Sequence, residues 1–445
     1  MSTVKQYTPA TAIAVVVANM VGTGVFTSIG FQIIDIKSSF VLLMLWLVGG
    51  VAALCGALTY AELASRMPRS GGEYNFLSRI YHPAVGFVSG WVSLTVGFAA
   101  PTALAAMTFA AYFDSALGQS IPINRTFAAL ALVGTITFVH GRNHAASGGL
   151  QNWFTIIKVL LIALFVVAVV STVSTPQPLL LIPSAGDGAL IGSSAFAVSL
   201  IYVNYAYTGW NAATYITGEI ENPGRSVPIV LIGGTLIVIV LYMALNASFL
   251  YAVPLEDLEG KIEVGVIVAE HTFGPTGAMV MGGLLSLLLI STVSAMLMAG
   301  PRVLQVMGED FRLFRLLAVK NKGGVPRTAI YTQGALAGIF IITATFDSVL
   351  VFSGFILGLS SLATVLGVFV LRFKHGKGTD TELGSGTYRT WAYPLPPLLY
   401  SGIMLWTLWF ISVNRPQEAS VAGGVLVFGV AFYWLTEKLS SEAKS

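Results

Sequence analysis

Charge is what this chain has least of. Only 10% of its 445 residues are Asp, Glu, Lys or Arg, whereas a soluble domain carries about 25%, so an ordinary water-facing surface cannot be made from it. Cysteine occurs once, as Cys55 in an apolar run, which excludes an intramolecular disulfide and reads as a small core residue. Histidine occurs five times (82, 140, 144, 271 and 375), always in an expected loop or at a helix end, and no HExxH spacing is present. Without a metal-ligand set or paired acids at depth, an intramembrane enzyme has nothing to work with. Glu62 and Glu73 sit in a cytoplasmic signature segment and are not arranged as general acids. A receptor or a pore would need a binding ectodomain or rings of charge, and neither appears in the sequence. A net charge of only +3 gives nucleic acid nothing to hold. Low-complexity tracts and a cleavage site after the first apolar run are also missing, and no cofactor is implied.

Apolar residues fill the space that charge leaves, at 55% of the chain. Stretches long enough to span a bilayer fall at about 10–33, 39–63, 84–113, 125–140, 151–174 and 194–217, then at about 227–252, 275–301, 328–346, 349–371, 394–413 and 419–436. An all-α membrane protein of twelve transmembrane helices is therefore expected. With the N-terminus inside, eighteen Lys/Arg lie on the cytoplasmic side and four outside (Lys37, Arg125, Lys261, Arg415). The loop 64–83 carries Arg66, Arg69 and Arg79, and the loop 308–327 carries Arg312, Arg315, Lys320, Lys322 and Arg327. The outer segment "PLEDLEGKIEVGVIVAEHTFG" is acidic instead. This imbalance orients the chain with both termini in the cytoplasm. Arg302 reads as an interfacial anchor at the inner end of span eight.

One basic residue belongs to neither side. Lys158 lies inside span five, in "FTIIKVLLIALFVV", where no acid is available to pair with it. A charge at that depth costs about 2.5–3.5 kcal/mol on insertion scales. Glycines interrupt two other spans. Span one has Gly22, Thr23 and Gly24 at its middle, and span six has Thr208-Gly209 near its centre. Glycine also serves close helix packing, but interruptions at corresponding places in two halves point to a transporter's binding site. A helix opened at mid-membrane frees N–H groups, which suit a carboxylate, and carbonyls, which suit an ammonium. Such a site holds both ends of a zwitterion without a charged side chain.

These segments resemble a known family. "GTGVF" in span one, "RMPRSGGEYNFL" after span two, "FTIIKVLLIAL" in span five and "YAYTGWNAATYITGEIENPGRSVP" from span six onward are similar to the amino acid–polyamine–organocation superfamily, nearest its L-type amino acid transporter branch. The likeness covers essentially the whole chain. It implies a LeuT-like 5+5 inverted repeat, with residues 1–174 (spans one to five) and 194–372 (spans six to ten) as the halves and 394–437 (spans eleven and twelve) peripheral. It also implies roles for single residues. Free N–H groups at Thr23 and Gly24 would take the substrate carboxylate, and the carbonyls of Met20, Tyr205 and Thr208 the amino group. The Tyr205 ring would cap the substrate, while Trp210 and Asn211 would stabilise the broken helix. In sodium-coupled relatives of this fold a sodium ion bridges helices one and eight. In this branch a lysine of helix five resembles a built-in replacement, so Lys158 would meet carbonyls near Gly22 and the hydroxyls of Ser291, Thr292 and Ser294. Its release of a proton would offer a route to coupling.

The chain departs from the family pattern at Gly218, where relatives often carry an acid before Glu219, and at "VMGEDFRLF", which puts details of the inner gate in doubt. The outer loop "DSALGQSIPINR" lacks the cysteine that links a glycoprotein partner in animal members, so no disulfide-linked subunit is expected. The resemblance implies a sodium-independent permease of neutral L-amino acids in the cell's inner (plasma) membrane, working by alternating access. A cationic amino acid or polyamine exchanger of the same fold is the alternative. No acid lies inside spans one, three, six, eight or ten away from their ends, which favours the neutral cargo.

Overall fold

Amphipathic and wholly apolar helices built from these stretches account for nearly all of the computed structural model, which describes residues 7–118, 123–142, 148–311, 314–320, 326–374 and 388–442. Arg312, Lys322, His144, His375, the side chain of Arg302 and the middle of the loop 114–125 lie outside the described residues. Among the described residues the one β feature is a bridge between Tyr7 and Ile220, in which the Tyr7 amide donates to Glu219 and the Glu221 amide to Tyr7. It ties the start of span one to the end of span six.

Nine helices of the described residues are individually long and apolar enough to cross a membrane. They supply spans one, two, three, five, seven, eight, ten, eleven and twelve. The other three expected spans are present in shorter or more polar form. Span four is Arg125–Arg142, span nine is Arg327–Thr343, and span six runs Ser194–Tyr207 before continuing as a 3-10 helix over Ala212–Glu219. Spans one and six, the first of each five-helix set, are the broken pair: span one is Pro9–Met20 followed by Gly24–Asp35. Local chemistry marks several ends. The Ser38 hydroxyl caps span two (Ser39–Arg66) by accepting from the Val41 amide, and Ser193 caps span six through the Phe196 amide. Proline opens span seven (Pro223–Ala252), where its missing N–H costs nothing.

Three features differ from the sequence expectation. The loop after span two holds a short helix, Gly72–Ile80, docked against spans three and ten. Span three carries a π-helical turn, Ser93–Gly97, between Pro83–Val92 and Ala99–Ala116. The segment "VGVIVAEHTF", taken with the acidic outer loop, is helical. It leads into span eight as one element, Val264–Asp310, broken only at Gly274. The apolar residues at 264, 266, 268 and 269 are buried there, so packing overrides the loop-like charge of Glu263 and Glu270.

Span five, Gly148–Thr172, shows how its lysine is tolerated. Leu160, Leu164 and Val167 project outward, whereas Lys158, Ile162, Phe165 and Val169 recur at helical spacing on the buried face. The lysine therefore points into the bundle and away from lipid.

Candidate substrate site

The two breaks meet. A Cβ on Gly24 would come within 2.6 Å of the Ala206 Cα, so only glycine lets the second half of span one approach the end of span six. Gly209 has φ +109, and a Cβ there would meet the backbone of Asn19 at 2.8 Å. Two glycines, one in each break, thus set the crossing. Each helix end then exposes its backbone toward the other. Among the described residues, the N–H groups of Thr23, Gly24 and Val25 find no backbone acceptor, while the Phe26 amide donates to the Thr23 carbonyl at 3.0 Å. These are the orphan donors of a helix N-terminus, with the positive end of its dipole behind them.

The carbonyl side is more occupied than the sequence suggests. The Met20 carbonyl accepts from the Gly22 amide at 2.8 Å and lies 2.5 Å from the Tyr242 hydroxyl. The Tyr205 carbonyl accepts from the Thr208 amide at 2.9 Å. Tyr242, on span seven, also lies 3.1 Å from the Ala206 carbonyl. A phenol has one proton, so it serves only one of the two carbonyls at a time. Trp46 and Tyr207 hold this ring, with centroids 5.6 and 5.0 Å away. No motif marks Tyr242; its role is visible only in three dimensions.

Met20, Gly22, Thr23, Gly24, Tyr205 and Thr208 all line one cavity of about 140 Å3. Its other walls are mostly apolar, with Phe98, Pro101, Leu357 and Met404 among them. Ser93 and Gly97, the two ends of the π turn, also face it, in keeping with the frequent placement of π-bulges at functional sites. The Tyr205 ring is buried beside Thr23. Trp210 packs edge-on against Tyr60 at 4.6 Å, and Asn211 donates to the Glu73 carboxylate at 3.1 Å.

Glu73 corrects one premise. An acid does reach the cavity, carried by the short Gly72–Ile80 helix and not by a span. Its oxygens accept from Tyr60 at 2.7 Å, from Asn211 and from Ser360. Most of its acceptor capacity is therefore already used.

Lys158 is 4% exposed, and its Nζ donates to Thr292 Oγ1 at 2.8 Å. Lys158, Thr292, Val21 and Gly22 line a void of about 10 Å3, so the ammonium faces both the first break and span eight. No carboxylate pairs with it among the described residues. The three hydroxyls offered by span eight fare differently. Thr292 meets the lysine, the Ser291 hydroxyl is buried without a partner among the described residues, and Ser294 instead bonds His140 at 2.8 Å. Helical geometry explains this, because about 100° per residue turns Ser294 roughly 200° away from Thr292.

Comparison with known proteins agrees with this architecture. The family model described as amino acid permease matches residues 8–432. The chain is similar to the b(0,+)-type amino acid transporter 1 of Oryctolagus cuniculus, 26% identical over 369 residues, covering 81% of this chain and 74% of that protein. The Homo sapiens protein of the same name is 26% identical over 371 residues, with the same coverage of 81% and 74%. The large neutral amino acids transporter small subunit 2 of Rattus norvegicus is 25% identical over 433 residues, covering 95% of this chain and 79% of that protein.

Proposed function

The chain belongs to the amino acid permease family, and we propose from that premise that it carries neutral L-amino acids across the cell's inner (plasma) membrane by alternating access, without sodium. One observation carries the reading: two helix breaks converge on a cavity, one offering unpaired N–H groups and both offering carbonyls. The substrate carboxylate takes the N–H groups of Thr23 and Gly24. Its ammonium takes carbonyls at the ends of Pro9–Met20 and Ser194–Tyr207, with Met20, Tyr205 and Thr208 as the candidate acceptors, and the Tyr205 ring covers it. A neutral cargo is favoured because Glu73, among the described residues the one acid in the cavity wall, is held by three donors from the protein itself.

Lys158 stands in for a sodium ion in this reading. Its ammonium bridges the first break, near Gly22, and span eight, through Thr292 with Ser291 beside it, as a bound cation would. Residues 1–174 and 194–372 form the two inverted repeats and 394–437 the periphery, with both termini cytoplasmic. Cys55 is free and buried in span two, and no disulfide-linked subunit is part of this proposal.

Counterflow tests the class. Liposomes holding the purified protein are loaded with unlabelled amino acids, and entry of labelled L-alanine and L-leucine is followed without sodium. Accumulation competed by neutral but not basic amino acids supports the proposal. Entry of arginine or putrescine in place of both moves the cargo to the cationic alternative and leaves the fold standing. No counterflow of any amino acid overturns the function.

A further inference from the structure

Resting on the transport reading above, we propose that Glu73 is the proton-binding group of the cycle, taking a proton from the substrate cavity and releasing it to the cytoplasm. Nothing in the motif that contains it assigns this role; the placement does. The carboxyl is 5% exposed and borders the cavity, yet it belongs to a short helix of the loop expected on the cytoplasmic side. Its partners come from the elements that must separate if that end opens: Tyr60 on span two, Asn211 just past the break in span six, and Ser360 on span ten. The Tyr215 ring, from the 3-10 segment of span six, packs over Gly72 beside it.

The chemistry of this cluster accepts either protonation state. Facing an ionised carboxylate, Tyr60, Ser360 and Asn211 all donate. Facing a carboxylic acid, the Ser360 hydroxyl turns to accept, and its own proton is taken by Ser89, 3.2 Å away on span three. Among the described residues no cation pins the charged form. The titratable groups that face Glu73 are the phenols of Tyr60, of Tyr215 and, from span eleven, of Tyr400. On its own helix Tyr74 turns away to Asp310, which also takes Arg69. Glu62, Arg66 and Arg372, at the inner ends of spans two and ten, pair with one another. Burial holds the Glu73 carboxyl above its ordinary range, as it does for an acid without a cationic partner.

The direction of coupling follows from linkage. While the cluster is closed, burial favours the acid, so an oxygen of Glu73 takes a proton from water in the cavity. When the cytoplasmic end opens, the carboxyl is hydrated, its affinity falls toward the ordinary value near 4.3, and the same proton leaves to cytoplasmic water. Only an O–H bond forms and breaks, and the carboxylate is regenerated. With a zwitterionic cargo one positive charge crosses per turnover.

The test uses the full-length protein in liposomes with an internal pH dye and an acidic exterior. Addition of L-alanine should acidify the interior, with about one proton per alanine. Glu73→Gln should abolish both acidification and uphill accumulation, leaving exchange and downhill equilibration at a measurable rate. Ser360→Ala removes a donor to the charged form, so the pH midpoint of uptake should move up by about one unit, which a purely structural role for the cluster would not produce. Acidification that persists in Glu73→Gln, or net uptake of alanine by the unaltered protein without acidification, overturns the proposal. So does an unshifted Ser360→Ala profile, which decides the matter if the Gln variant does not fold. Absence of counterflow in the unaltered protein is a different failure, that of the transport reading itself.

Discussion

Lys158 is a buried ammonium whose one described partner is a threonine hydroxyl. Hydroxyls and carbonyls can satisfy its three donors without a carboxylate, and the geometry leaves it facing the first break across a small void. Replacing it should disturb transport more than folding, because deleting a desolvated charge also removes its burial penalty. Lys158→Ala is expected to keep a monodisperse size-exclusion profile while uptake falls by tenfold or more. Full uptake in that variant would remove the lysine from the mechanism, as would uptake that still requires sodium. Gly24 makes the opposite case. Its alanine variant would drive a methyl group against the Ala206 backbone, and overpacking of this kind costs about 1–3 kcal/mol. Gly24→Ala should therefore lose counterflow and lower the melting temperature, measured on the detergent-solubilised protein.

Among the elements, spans one, six and seven act as a unit because Tyr242 sits between the two breaks. Tyr242→Phe keeps the packing against Trp46 and Tyr207 but deprives the Met20 and Ala206 carbonyls of their shared donor. A lost hydrogen bond of about 1 kcal/mol corresponds to roughly a fivefold change in KM for alanine, with expression unaffected. How much of this was legible in the sequence depends on the kind of signal. The breaks were readable because Thr-Gly recurs at mid-membrane depth in spans one and six, a correspondence that helix packing alone does not require, and span five announced itself by a lysine with no acid nearby. Glu73 and Tyr242 were not readable as site residues. Glu73 arrives on a helix whose docking depends on tertiary contacts, and an aromatic on a membrane helix looks like any packing residue until its neighbours are known. Ser294 was misplaced for a simpler reason: three hydroxyls within four residues of a helix cannot all face the same way.

At the scale of the whole molecule, the C-terminal ends of spans two and ten are joined by a network centred on one buried carboxylate. Glu62 is fully buried and receives Arg372 through two bonds of 2.9 and 2.6 Å, Arg66 at 3.0 Å and the Thr390 amide at 2.8 Å. Glu62→Gln leaves both guanidinium groups without a countercharge and should cost about 3–5 kcal/mol, seen as a marked fall in melting temperature. The opposite face is held differently. Lys37 pairs with Glu259, Arg125 with Asp114 and Glu263, and Arg415 with Asp347 and Glu418, all with partly exposed side chains. Three of the four basic residues assigned outside are thus tied to acids across different elements. Exposed pairs are screened by electrolyte, whereas a carboxylate buried as fully as Glu62 is screened much less. The two sets of pairs should therefore answer unequally to ionic strength, with concentrated salt weakening the most exposed of them, Lys37–Glu259, before it reaches the buried Glu62 carboxylate, and melting temperatures of Glu259→Gln and Glu62→Gln measured across a salt series check this.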